Sequence, residues 1–118
     1  MTAPDNEMYG RPTAAELVEA VREFLESDVM AATEGRVQFH TRVAVNVLGM
    51  VQRELEMGPA QADAHRQALE RLGVKDEAEL AQAIRSGALE ERRAELLDVL
   101  RATVGAKLDV ANPRYRSA

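Results

Sequence analysis

From residue 13 onward, apolar side chains return every three or four positions, the interval that stacks them on one face of a helix. Leu17, Val18, Val21, Phe24 and Leu25 form the first such face, with Glu16, Glu19, Glu23 and Glu26 directed mostly to the other side. Thr13 and Glu16 have the spacing of a reciprocal cap, in which each side chain satisfies an amide of the other's turn, and Pro12 prevents an earlier start. The predicted helix spans 13–32 and ends between Met30 and Gly35. A second helix is predicted over 36–57. Val37, His40, Ala44, Val47, Leu48, Val51 and Leu55 make its apolar stripe, which Phe39, Val43 and Met50 widen to one side. So broad a stripe predicts neighbours over more than half of the circumference, and hence a central position.

Gly58 and Pro59 are expected to end this helix and open the next, 59–72, anchored by Leu69 and Leu72 and closed by Gly73. Asp76 with Glu79 predicts a second reciprocal cap, opening a helix over 76–86 that carries Leu80, Ala83 and Ile84 and is closed by Gly87. The last helix, 90–110, carries Leu96, Leu97, Leu100, Val104 and Leu108 until Pro113 forces Asn112 out of the helical region. The expectation is an all-α fold: one helical domain over 13–118, a bundle of about five helices around the second. Residues 1–12, with Pro4, Gly10 and Pro12, are expected to be a flexible arm or a strap.

Composition narrows what such a bundle can do. Aromatics are 3% of the 118 residues, so the core is to be built from Leu, Val, Ala and Met. The net charge of −5, with both signs interspersed, offers no positive field for a phosphate backbone, which disfavours nucleic acid as a partner. A helix-turn-helix reading of the segments closed by Gly73 and Gly87 fails for the same reason, because Asp76, Glu77 and Glu79 crowd the entering end of the candidate recognition helix. Cysteine is absent, which excludes disulfides, thiolate catalysis and cysteine-ligated zinc. With no signal-peptide pattern and no run of membrane-spanning length, a cytoplasmic location without membrane association is expected.

One polar pattern stands out. Arg42, Asn46, Gly49 and Arg53 follow each other at spacings of four, three and four on one face of the second helix, roughly opposite its main apolar stripe. Two guanidiniums flanking a carboxamide, with a glycine between them permitting close approach, suit a carboxylate or phosphate. The favoured reading of the same residues is ion pairs with glutamates of the first or last helix, with Gly49 as a crossing point. His40 lies on the apolar face and reads as a partly buried core histidine or a proton-transfer group. His65 has only Asp63 nearby, too little for a metal site, so no metal and no cofactor is expected. Arg85 and Gly87 close their helix as a cation and a cap would. Tyr115, beside Pro113, is expected to fold back on the bundle, or else to act as a recognition element for another protein.

Across Pro12, Thr13, Ala14, Glu16 and Leu17, then Phe39, His40, Arg42, Val43, Ala44, Asn46, Arg53, Glu54 and Leu55, the sequence resembles a small bacterial family of all-helical domains of unknown function. The likeness continues through Ile84, Arg85 and Gly87 to Lys107, Leu108, Ala111, Asn112, Pro113 and Tyr115. It implies genes for aminoglycoside-phosphotransferase-like kinases and acyl-CoA dehydrogenases as neighbours, and carries no activity or catalytic residue. The leading expectation is a non-catalytic interaction domain, either homo-oligomeric or partnering a phosphotransferase-like enzyme, with the Arg42–Arg53 stripe or the Tyr115 tail at the contact. The alternative is a module that binds a small anionic ligand through Arg42, Asn46 and Arg53. An enzyme using His40 as base stands third.

Overall fold

Thr13 adopts an extended backbone and its hydroxyl accepts from the amide of Glu16, while the Glu16 carboxylate accepts from the amide of Thr13, so the predicted reciprocal cap is formed. Helix α1 (Ala14–Phe24) starts at the next residue. The computed structural model describes Met8 and residues 10–117; residues 1–7 and 9, which hold most of the predicted arm, lie outside the described residues. All regular structure among the described residues is helical, as the periodicity predicts: α1 is followed by α2 (Met30–Ala32), α3 (Gly35–Arg71), α4 (Glu77–Ser86), α5 (Arg93–Ala111) and α6 (Pro113–Ser117). A π-helical turn, Leu25–Val29, leads from α1 into α2, and a 3-10 turn, Glu90–Arg92, leads into α5.

The break expected at Gly58 and Pro59 does not occur: α3 runs from Gly35 through Pro59 to Arg71. Proline inside a helix costs about 3 kcal/mol, through the missing amide and the clash with the carbonyl four residues back. Tertiary anchors on both sides of it oppose that cost, with Gln52 held by Arg22 and Gln61 donating to the Ala106 carbonyl. The chain divides into two compact units, Met1–Gly58 and Pro59–Ala118, with the division falling inside α3.

The first unit is an antiparallel helical hairpin. Thr33 breaks the helix with an extended backbone, and Gly35 takes a left-handed φ of 65° at the start of α3. The Gln38 amide donates back to the carbonyls of Met30 and Thr33, satisfying acceptors that the helix end leaves open. Further along, Arg22 donates to Gln52 at 3.3 Å, so the two helices run side by side in opposite directions. Among the described residues of this unit, only Ala15, Thr41, Val45 and Gly49 are buried. The Thr41 hydroxyl is satisfied within its own helix by the Val37 carbonyl.

The second unit has the larger core. Ala68, Leu69 and Leu72 from the end of α3 pack with Leu80 of α4, Leu89, and Val99 of α5, with Leu96 and Leu100 half-buried against them. Leu69 and Leu72 are thus anchors, as predicted. Asp76 caps α4 by accepting from the Glu79 amide, one half of the predicted reciprocal cap, and Gly87 ends it at φ 81°. Arg92 crosses to the end of α3, donating to the carbonyls of Arg71 at 2.7 Å and Leu72 at 3.4 Å while pairing with Glu95. It therefore fills the open acceptors of one helix while holding the first turn of another.

At the C-terminal end, Asn112 leaves the helical region and Pro113 opens the short α6. Tyr115 does not fold back: it is 69% exposed. Arg116 takes that place, pairing with Asp109 at 2.9 Å and lying against buried Gly105, which turns the side of α6 that carries Tyr115 outward.

Candidate functional site

The four residues of the polar stripe all belong to the unbroken first half of α3, and the helix is not interrupted at Gly49. Their environments differ. Arg42 and Asn46 are exposed, Arg53 is half-buried and Gly49 is buried. The space that Gly49 leaves open is taken by arginine side chains: a Cβ at this position would lie 3.4 Å from Arg53 Nη1 and 3.6 Å from Arg22 Cζ and Nε. Gly49 is therefore a crossing point, as one of the two sequence readings holds, but what crosses is the guanidinium of Arg22 from α1. Arg22 had no place in the sequence argument, because nothing in the spacing of α1 shows which of its charged residues faces the partner helix. Its Nε is buried without a hydrogen-bond acceptor, while its Nη1 donates to Gln52. Two guanidiniums over one glycine form a basic notch in which one N–H lacks an acceptor.

His40 is exposed, which corrects the core-histidine expectation. It sits edge-on to Phe39, with centroids 5.4 Å apart, and lines an open, almost wholly apolar cleft of about 470 Å³ with Leu25, Arg36, Val37, Thr41 and Ala44. The cation at this cleft is Arg36, not the Arg42–Arg53 stripe. A base role for His40 beside that stripe has no geometric support, since the stripe lies on a different face of the helix.

The largest departure from expectation is in the apolar stripe itself. Phe39 is 58% exposed and Val47 50%, and Val43, Met50 and Val51 are exposed with them. On α1, Leu17, Val21 and Phe24 are likewise exposed. Among the described residues, the predicted covering of this helix over more than half of its circumference is absent: α1 covers the side that carries Thr41, Val45 and Gly49, and the opposite side faces outward. Contiguous exposed apolar surface is uncommon on folded domains.

A family model described as a domain of unknown function, DUF6285, matches residues 31–115. The chain belongs to that family. No curated protein and no solved structure matches it. The DUF6285 match takes in the outward face of α3 and the Arg42–Arg53 stripe, whereas Arg22 and the exposed apolar residues of α1 lie before it.

Within the DUF6285 span, His65 links three helices. Its Nε2 meets the Glu77 carboxylate and its Nδ1 is 3.2 Å from the Thr103 hydroxyl, which in turn donates to the Val99 carbonyl. Both ring nitrogens are thereby engaged in holding α3, α4 and α5 together. No group of three His, Asp or Glu side chains that could hold a metal is found among the described residues, and none of the described helices is long and apolar enough to cross a membrane.

Proposed function

We propose that this chain is a non-catalytic protein-interaction module whose contact surface is the outward face of α3 with the adjoining side of α1. The observation that carries the proposal is the exposure of Phe39, Val43, Val47, Met50 and Val51 along one helix. Fully burying a Val, Met or Phe contributes about 1.5–3 kcal/mol relative to leaving it in water, so a row of five left in water is a large reserve for association. This replaces the Arg42–Arg53 stripe and the Tyr115 tail as the contact. Where the partner is a different protein, the family resemblance points to a phosphotransferase-like enzyme in acyl-CoA-related metabolism. The experiment is affinity capture with quantitative mass spectrometry, comparing the wild-type chain with Val43→Glu, both checked for unchanged helicity by circular dichroism. Equal recovery of every associated protein by the two forms, together with identical mass in solution, ends the proposal.

A second reading has its own support in Arg22 Nε, a buried donor without an acceptor beside Arg53 and the room left by Gly49. A small anion such as a phosphate suits that notch, since guanidinium N–H groups bind oxyanions more strongly than neutral acceptors. Thermal-shift measurements with inorganic phosphate, nucleotides and CoA esters test it. A rise in melting temperature that Arg22→Met abolishes supports the reading, and no rise with any of them removes it.

A further inference from the structure

We infer that the outward face of α3 is a self-pairing surface: two copies of this chain join through it, antiparallel, about a two-fold axis at the level of Val45. The inference rests on the interaction reading above and names the partner as a second copy.

The side chains along the middle of that face are Arg36, His40, Val43, Val47, Met50 and Glu54, all exposed. Their spacings of four, three, four, three and four are those of the seam positions of a helix pair, and here they extend over about 27 Å of helix. The sequence of intervals is the same read in either direction, so two antiparallel copies can share one seam. About an axis at residue 45, Val43 then faces the partner's Val47, His40 faces the partner's Met50, and Arg36 faces the partner's Glu54. The seam has an apolar centre closed at each end by opposite charges.

The charges decide the direction. A parallel pair in register would oppose Arg36 to the partner's Arg36 and Glu54 to the partner's Glu54, two like-charge contacts; the antiparallel pair makes two attractive ones. Neither Arg36 nor Glu54 forms an ion pair within its own chain among the described residues. One self-complementary patch used twice is also what a closed two-fold dimer requires.

The seam is flanked by further exposed apolar side chains. Val37 and Val51 continue the apolar surface to one side of the seam, and Phe39 continues it to the other.

The test uses the full chain at micromolar concentration in sedimentation equilibrium. The expected mass is about twice 13.0 kDa for the wild type and 13.0 kDa for Val47→Glu, with unchanged helicity and melting temperature of the residual monomer. Arg36→Glu and Glu54→Arg each weaken the dimer by about tenfold, and the double variant R36E/E54R restores it, because the opposed charges are exchanged together. Because the chain has no cysteine, a mixture of Val43→Cys and Val47→Cys chains is expected to form the 43–47 cross-link under oxidation, whereas a parallel pair would join 43 to 43. A wild type that stays monomeric, a dimer that survives Val47→Glu, or a 43–43 cross-link overturns the proposal. If the wild type is monomeric yet captures another protein that Val43→Glu does not, self-pairing falls and the interaction reading stands. A monomer that Val47→Glu destabilises has the face covered by its own chain, and both fall.

Discussion

The guanidinium of Arg22 lies over Gly49, with Cζ 3.6 Å from where a Cβ on that residue would stand. A glycine in mid-helix costs about 1 kcal/mol relative to alanine, so its presence asks for a packing reason. Here the reason is weak for a single methyl group, because a Cβ would make ordinary contacts, 3.4 Å to Arg53 Nη1 and 3.6 Å to Arg22. Gly49→Ala is therefore expected to stabilise the first unit by up to about 1 kcal/mol, read as a higher midpoint in chemical denaturation. Gly49→Leu would displace both arginines and is expected to destabilise. If Gly49→Ala destabilises by a comparable amount, the notch is tighter than these distances describe.

Gly105 and Arg116 stand in the opposite relation. A Cβ at Gly105 would lie 2.7 Å from Arg116 Nη1 and 2.9 Å from Cζ, so something must move, and the end of a flexible side chain moves most easily. Arg116 would give up its exposed pair with Asp109, worth at most about 1 kcal/mol. Gly105→Ala is accordingly expected to gain about 1 kcal/mol in an Arg116→Ala background and less in the wild type, with faster amide exchange at Tyr115 in the latter. A double-mutant cycle with zero coupling would show that Arg116 does not rest on Gly105.

The two units should respond differently to truncation. Leu80 is 3% exposed in the second unit's core, and Leu80→Ala is expected to cost about 2–5 kcal/mol. Val47, half in water, should cost less than about 1 kcal/mol as alanine in the monomer. Urea denaturation of both variants, with Val47→Ala measured at a concentration where the chain is monomeric, checks the contrast. Equal costs would place Val47 in a core.

That contrast marks what the sequence could convey. Caps at Thr13, Asp76 and Gly87, the stop at Asn112 and the anchors Leu69, Leu72 and Leu80 were legible because each depends on residues within one or two turns. The helix break at Pro59 was legible too, and wrong, because its local cost is set against anchors far away in sequence, such as Gln61 on Ala106. Periodicity identified the broad stripe of α3 but not what covers it: Val43 and Val45 are equally apolar, and only the placement of α1 leaves one exposed and the other buried. In the site, the alignment of Arg42, Asn46, Gly49 and Arg53 could be read from spacing. The arrival of Arg22 from another helix could not.

The cap at Thr13 ties stability to pH. Hydrogen bonding from the Thr13 amide, and secondarily from its hydroxyl, holds the Glu16 carboxyl below its ordinary value of 4.5. A carboxyl with a lowered folded-state pKa contributes stability that is fully present above the unfolded value and is lost as pH falls through the folded one. The start of α1 should therefore loosen in acid below about pH 4.5, seen as faster amide exchange at Glu16 and Leu17. Glu16→Gln removes this titration, so its stability should fall less than the wild type's between neutral pH and pH about 3. Thr13→Ala keeps the backbone amide and with it most of this acid dependence, and should cost about 1 kcal/mol at neutral pH through the lost acceptor for the Glu16 amide. Parallel acid profiles for the wild type and Glu16→Gln would mean that the carboxylate is not held by the Thr13 amide in solution.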